Sequence, residues 1–236
     1  MPENGPNGQT LSGWTLVFDL DGTLVETAPD LLAALNHVLA IENQPPVVLR
    51  DVRPMIGHGA KAMIREGLSR RANRLDPGAM DHAVERLWPH FMAYYTAHIA
   101  DHSHPFPGVI AQLQLAKRAG ATLAVCTNKT QILADCVLSA LGMSDHFAAI
   151  VGADVVPSRK PDGDHIVRTI KAAGGDPRRA VMIGDSRTDE RAALDAGLPF
   201  VFVTFGYEIA PVSDITADAV IAHYDALSSA LASIVS

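Results

Sequence analysis

The sequence predicts a doubly wound, Rossmann-like parallel α/β sheet carrying an inserted all-helical domain. Three observations predict it. Five short, near-continuous apolar runs read as strands buried on both faces. Amphipathic helical patterns fall between them, and this alternation is the mark of a parallel sheet wound on both sides. One interval, from Ala28 to Pro105, breaks the alternation and carries helical patterns alone.

Taken in order, the first thirteen residues, MPENGPNGQTLSG, are polar and rich in Gly, Asn and Pro. They read as a flexible tail without the basic and apolar stretches of a secretion signal. Trp14–Phe18 is the first strand. Then come three apolar stripes at helical spacing. Leu31, Leu32, Leu35, Val38 and Leu39 make the first, and Ala60, Met63, Ile64, Gly67 and Leu68 the second. Met80, Ala83, Val84, Leu87, Trp88, Phe91, Met92 and Tyr95 make the third, with a kink expected at Pro89. Linkers near Val25–Ala28 and His102–Pro107 bound this block. The expected division is therefore a tail (1–13), a core domain (14–27 and 106–236) and a helical domain (28–105).

The remaining strands are Ala121–Thr127, Ala148–Gly152, Ala180–Gly184 and Phe200–Phe205, with a weaker sixth at Ala219–Ala222. Between the second and third strands, Leu133, Cys136, Val137, Ala140 and Leu141 repeat at helical spacing, and Gly142 follows as a stop.

Composition sets the outer bounds. A chain of 236 residues, 48% hydrophobic and 19% charged, has the profile of a soluble globular protein with a sizeable core. A net charge of -7 argues against broad nucleic-acid binding. No apolar run approaches the ~20 residues a membrane helix requires. Cys126 and Cys136 make no disulfide framework, so a reducing cytoplasm is the expected compartment.

Open parallel sheets bind ligands beyond the carboxyl ends of their strands. There the first strand runs into Asp19-Leu20-Asp21-Gly22-Thr23. Two carboxylates this close repel each other, which points to something positive, or something to be attacked, beside them. The second strand ends in Thr127-Asn128-Lys129, and the fourth in Gly184-Asp185-Ser186 with Asp189 one helical turn on. The loop after the third carries Ser158-Arg159-Lys160-Pro161, where Pro161 suits a first helical position and would set Lys160 at the helix entrance.

Each segment alone has a plainer reading. Asp19–Thr23 suits a strand-to-turn junction, and Thr127-Asn128 a helix cap. Lys160 suits a solvated loop lysine with Arg159 as its rival, Asp189 a first-turn carboxylate favoured by the helix dipole, and Cys126 a buried strand residue. Two further patterns are decoys. Gly57-His58-Gly59-Ala60-Lys61-Ala62 fits the dinucleotide fingerprint but follows no convincing strand. His98, His102 and His104 have metal-ligand spacing but fall where a helix runs into a linker, as surface or hinge histidines would.

Together, DLDGT, a strand ending in TN, KP and GDSRTD resemble the four ordered motifs of the haloacid dehalogenase-like phosphohydrolases. The resemblance spans about Trp14 to Gly206, and the helical insertion matches the family's cap domain. YYTAHIADHSHPFPGV and the later VTFGYE look most like its phosphoglycolate phosphatase branch.

The resemblance implies that Asp19 is a nucleophile giving an aspartyl-phosphate. It implies that Asp21 protonates the leaving oxygen and then deprotonates the attacking water. Thr127 would bind a phosphoryl oxygen beside Asn128, and Gly22 would turn backbone N–H groups toward the phosphoryl group. Lys160 would hold Asp19 and the phosphate by charge. Mg²⁺ would be held by Asp19, the Asp21 carbonyl and Asp185, with Asp189 binding directly or through water. In the helical domain, Gly57 and Gly59 let backbone approach a ligand closely, and Lys61 and Arg65 follow one turn apart. A substrate carboxylate would suit that helix entrance; the plain alternative is that both side chains are solvated.

The expected activity is thus Mg²⁺-dependent hydrolysis of a small phosphomonoester, 2-phosphoglycolate first, by a monomer or homodimer. A phosphosugar mutase or sugar-phosphate phosphatase of the same superfamily stays open, as does a non-catalytic phospho-acceptor resembling response-regulator receivers. Asp21 disfavours a metal-free dehalogenase and a phosphonatase.

Overall fold

The computed structural model describes residues 10–56, 59–70 and 76–235. The chain enters through β1 (Thr15–Phe18) and β2 (Val25–Glu26), then passes through helices α1 (Ala28–Ile41), α2 (Leu49–Val52), α3 (Ala60–Ser69) and α4 (Pro77–Ala97). It returns through β3 (His104–Pro105) and α5 (Val109–Arg118) to β4 (Thr122–Cys126), α6 (Gln131–Ala140) and β5 (Ala149–Val151). There follow α7 (Gly163–Ala172), β6 (Ala180–Gly184), α8 (Arg187–Asp195), β7 (Phe200–Val203), β8 (Ala219–Ile221) and α9 (Leu227–Ile234).

Among the described residues, six strands form one parallel sheet in the order β5-β4-β1-β6-β7-β8. Side chains alternate between its faces. Leu16, Phe18, Val181, Ile183, Val201 and Val203 pack with α5, α6 and α9. Val17, Met182, Phe200 and Phe202 pack with α7 and α8 on the other side. Burial on both faces explains why these strands read as continuous apolar runs.

Helices α1, α3 and α4 surround a separate apolar cluster that includes Leu35, Leu39, Ile64, Leu87 and Phe91. The two crossings between this block and the sheet region pair with each other as an antiparallel ribbon, Val25 with Pro105 and Glu26 with His104. The sequence pattern does not announce that ribbon, because two residues are too short to display a period. Two expectations are corrected. The chain is fixed from Leu11, not from Trp14: Leu11 is buried, and its N–H donates to the Ala119 carbonyl (2.7 Å). Pro161 precedes α7 instead of opening it, since Asp162 takes the N-cap and accepts from the Asp164 N–H (2.9 Å).

Candidate active site

β1 ends at Phe18, and Asp19 stays anchored to the sheet through its N–H on the Ile183 carbonyl (2.9 Å). Beyond it the chain turns back on itself, with Gly22 N–H donating to the Val25 carbonyl (2.9 Å). Gly22 has φ +85°, and a side chain there would collide with the Asp185 carboxylate. The turn after β1 therefore lies against the Asp185 carboxylate at the end of β6 only because residue 22 has no side chain.

Asp19, Asp185 and Asp189 are buried, with one carboxylate oxygen from each lying within 4.8 Å of the others. Lys160 Nζ bridges two of them, at 2.8 Å from Asp19 Oδ1 and 2.6 Å from Asp189 Oδ1. Asp185 Oδ1 accepts from Thr23 Oγ1 (2.8 Å) and its Oδ2 from the Tyr207 N–H (2.7 Å). Asp189 Oδ2 accepts from Ser186 N–H (3.1 Å) and Oγ (2.6 Å) at the start of α8. When all three are ionised, three carboxylates face one ammonium and carry a surplus of two negative charges, which a divalent cation would balance. The hard oxygen donors suit such an ion.

Burial, reinforced by Asp189 and Asp21 and opposed by Lys160, pushes the Asp19 carboxyl up from 3.8 to about 7 in the metal-free protein. Burial, reinforced by Asp189 and Asp19, raises Asp185 well above its ordinary value. Burial works against the Lys160 charge, yet Asp189 and Asp19 hold it protonated above the ordinary lysine range.

The native state binds the Asp19 proton more tightly than the unfolded chain. Stability on its account is therefore fully present below 3.8 and lost as pH rises through about 7. In chelator, the melting temperature of the wild type should fall across that window relative to Asp19→Asn, and a divalent cation should remove the fall. A flat difference between the two proteins would contradict the linkage.

Asp21 stands outside the carboxylate triplet. Its Oδ1 accepts from Lys129 Nζ (2.8 Å) and Thr27 Oγ1 (2.6 Å). Thr127 is buried, and its hydroxyl accepts from the Lys129 N–H (3.1 Å), which leaves the hydroxyl proton to donate elsewhere. Asn128 Nδ2 donates to the Lys160 carbonyl (2.9 Å), tying the β4 end to the loop before α7. Thr127 and Asn128 cap no helix, because Thr130 holds the N-cap position of α6.

A cavity of about 490 Å³ spans the sheet end and the helical block. Asp19, Asp21, Thr127, Asn128, Lys129 and Arg159 line it from one side, and Gly59, Lys61, Arg65, Trp88 and Tyr95 from the other. Gly57 and His58 lie outside the described residues. Lys61 Nζ reaches Glu85 (2.7 Å) and Arg65 pairs with Asp81, both on α4. Both side chains are about half exposed, so these pairs are surface pairs of the kind worth little individually.

Sequence reasoning assigned no role to Lys129 or Tyr95. Lys129 Nζ also donates to Tyr95 Oη (2.9 Å) and sits 4.8 Å from the ring centroid. Lys129 directly follows the Thr-Asn pair, a signal that was visible; Tyr95 was legible only as an apolar-face residue of α4. His98 bonds Asp101 (2.7 Å) on the surface, and the His102 and Ser103 N–H groups donate to Asp30, so this segment has a local structural account.

A parallel sheet with acids, a lysine and a threonine gathered at its carboxyl edge, beneath an inserted helical block, places the chain among the doubly wound, Rossmann-like α/β proteins. The chain belongs to the haloacid dehalogenase-like hydrolase family, whose model matches residues 16–203. A phosphoglycolate phosphatase of Caulobacter vibrioides is 49% identical over 211 residues, covering 89% of this chain and 87% of that protein. One from Agrobacterium fabrum is 44% identical and covers 91% of each chain. A solved structure of a predicted phosphoglycolate phosphatase from Haemophilus somnus superposes with a TM-score of 0.84. It is 28% identical and covers 94% of this chain and 99% of its own. Among the described residues, no helix is long and apolar enough to cross a membrane.

Proposed function

We propose that the protein is a cytoplasmic, Mg²⁺-dependent phosphomonoesterase that hydrolyses 2-phosphoglycolate. The observation that carries the reading is the separation of two carboxylates on one cavity wall. Asp19 is joined to Lys160 and the acidic triplet, whereas Asp21 is joined to Lys129 and Thr27. Relatives up to 49% identical that are named phosphoglycolate phosphatases support the substrate and do not favour a mutase.

Asp19 Oδ attacks phosphorus, forming the Asp19–phosphate bond as the bond to the glycolate oxygen breaks. Asp21 gives its proton to that leaving oxygen and then takes one from the water that hydrolyses the acyl phosphate. Thr127 Oγ donates to a phosphoryl oxygen, and Lys160 offsets the charge that gathers there. Asp19, the Asp21 carbonyl and Asp185 would hold Mg²⁺, which supplies positive charge to the phosphoryl oxygens. Asp189, with Lys160 on one oxygen and Ser186 on the other, acts by fixing Lys160 and through water. Helices α1–α4 form a cap, with Gly59, Lys61 and Arg65 in its wall of the cavity.

The testing experiment measures phosphate release from a panel of small phosphomonoesters, 2-phosphoglycolate and hexose phosphates among them. A hexose phosphate turned over much faster than 2-phosphoglycolate would overturn the substrate. Within the metal site, Asp185→Ala should raise the Mg²⁺ concentration for half-maximal activity by about 100-fold and Asp189→Ala by about 10-fold. Titration of activity with Mg²⁺ reads both values, and full activity in chelator would remove the metal from the reaction.

A further inference from the structure

We propose that Lys129 is the residue that reads the substrate's carboxylate, an inference resting on the function proposed above. Lys61 and Arg65 are poor readers, because their charges are already met by Glu85 and Asp81 in half-exposed pairs. Lys129 differs in burial, in place and in unfilled hydrogen-bonding capacity. Its side chain is 4% exposed, yet it lines the cavity together with Asp21 and Thr127. An ammonium has three donors. Two go to Asp21 Oδ1 (2.8 Å) and Tyr95 Oη (2.9 Å), and among the described residues none accepts the third.

The distances place this donor where a two-carbon substrate ends. A general acid lies about 3 Å from the oxygen it protonates. Nζ is 2.8 Å from the Asp21 carboxylate, so it lies within roughly 6 Å of the leaving oxygen. In an ester whose carboxylate is attached to the first carbon, the acid group lies two bonds beyond that oxygen. That separation lets one of its oxygens reach Nζ at hydrogen-bond distance. Selection follows from chemistry: an ester lacking the carboxylate leaves a buried donor unfilled, which costs far more than a lost surface contact. Tyr95, on α4, fixes Nζ from the cap side, so the reader is complete only with the cap present.

The test compares kcat/KM for 2-phosphoglycolate with that for ethyl phosphate, which has the same chain without the carboxylate. The wild type should strongly prefer 2-phosphoglycolate. Lys129→Met should lower that preference about 100-fold, the scale expected for removing one member of a buried charged contact. Tyr95→Phe keeps the charge and deletes only the hydroxyl that fixes it; the preference should fall about fivefold. The Tyr95 variant decides the matter alone if Lys129→Met does not fold. Equal losses on both esters, leaving the ratio unchanged, would reduce Lys129 to a positioning residue for Asp21 and overturn the proposal. A wild type with no preference for 2-phosphoglycolate would instead remove the proposed function itself, so the two failures are distinct.

Discussion

Asp19→Asn is expected to lower turnover by at least about 10⁴-fold, since it removes a nucleophile for which no neighbouring group can substitute. The amide keeps the shape of the carboxylate and its place at the end of β1, so the protein should fold. The variant should also be no less stable than the wild type in chelator at neutral pH, because burial already pushes the Asp19 carboxyl up to about 7. Loss of activity with retained stability is the signature of a chemical role. Stopped-time labelling should trap a phosphoryl adduct, stable in acid and labile in alkali, in the wild type and none in Asp19→Asn. Asp21→Asn should remove most turnover while still permitting adduct formation from an aryl phosphate, whose leaving group needs little protonation. Wild-type activity in Asp19→Asn would overturn the mechanism.

Lys160→Met should have the second largest effect, and there stability and activity should fall together. The Lys160 side chain is 1% exposed and is the only ammonium joined to Asp19 and Asp189 among the described residues. Removing one partner from a buried ion pair costs about 3–5 kcal/mol, because the remaining charge is left unpaired. Turnover should fall by about 10³-fold as the phosphoryl oxygens lose that charge. High Mg²⁺ should restore part of the stability, since the surplus negative charge is then met by the ion, but little of the activity. Lys160→Arg should not rescue, because a planar fork does not fit a slot shaped for a point charge between two carboxylates. Urea unfolding with and without Mg²⁺, run beside steady-state kinetics, reads both quantities. Near-normal turnover in Lys160→Met would transfer the role to Arg159, which is exposed and lines the same cavity.

Much of the fold was legible in local pattern. β6 has the residue bounds its apolar run gives, and the other strands are shorter than theirs by one or two residues at their ends. The helical stripes correspond to the buried faces of α1, α3 and α4. These features are legible because burial on one stripe or on both faces imposes a period on the residues themselves. The β2–β3 ribbon and the α2 turn were not legible, being too short to carry a period. The Pro161 expectation failed because Asp162, one residue later, is the better cap.

The site divides the same way. Sequence alone determined which residues stand at the carboxyl ends of the strands: Asp19 and Asp21, Thr127 and Asn128, Asp185 and Asp189, and Lys160 in the loop before α7. Strand ends in a parallel sheet share one edge, so order along the chain converts directly into proximity in space. Only the tertiary structure decided which charge meets which. Lys160 joins Asp19 to Asp189, Lys129 joins Asp21 to Tyr95, and Lys61 and Arg65 turn to Glu85 and Asp81. Pairing depends on side-chain reach between segments far apart along the chain, 108 residues apart for Lys129 and Asp21. It also depends on the loss of water around those charges, and no local pattern records either quantity.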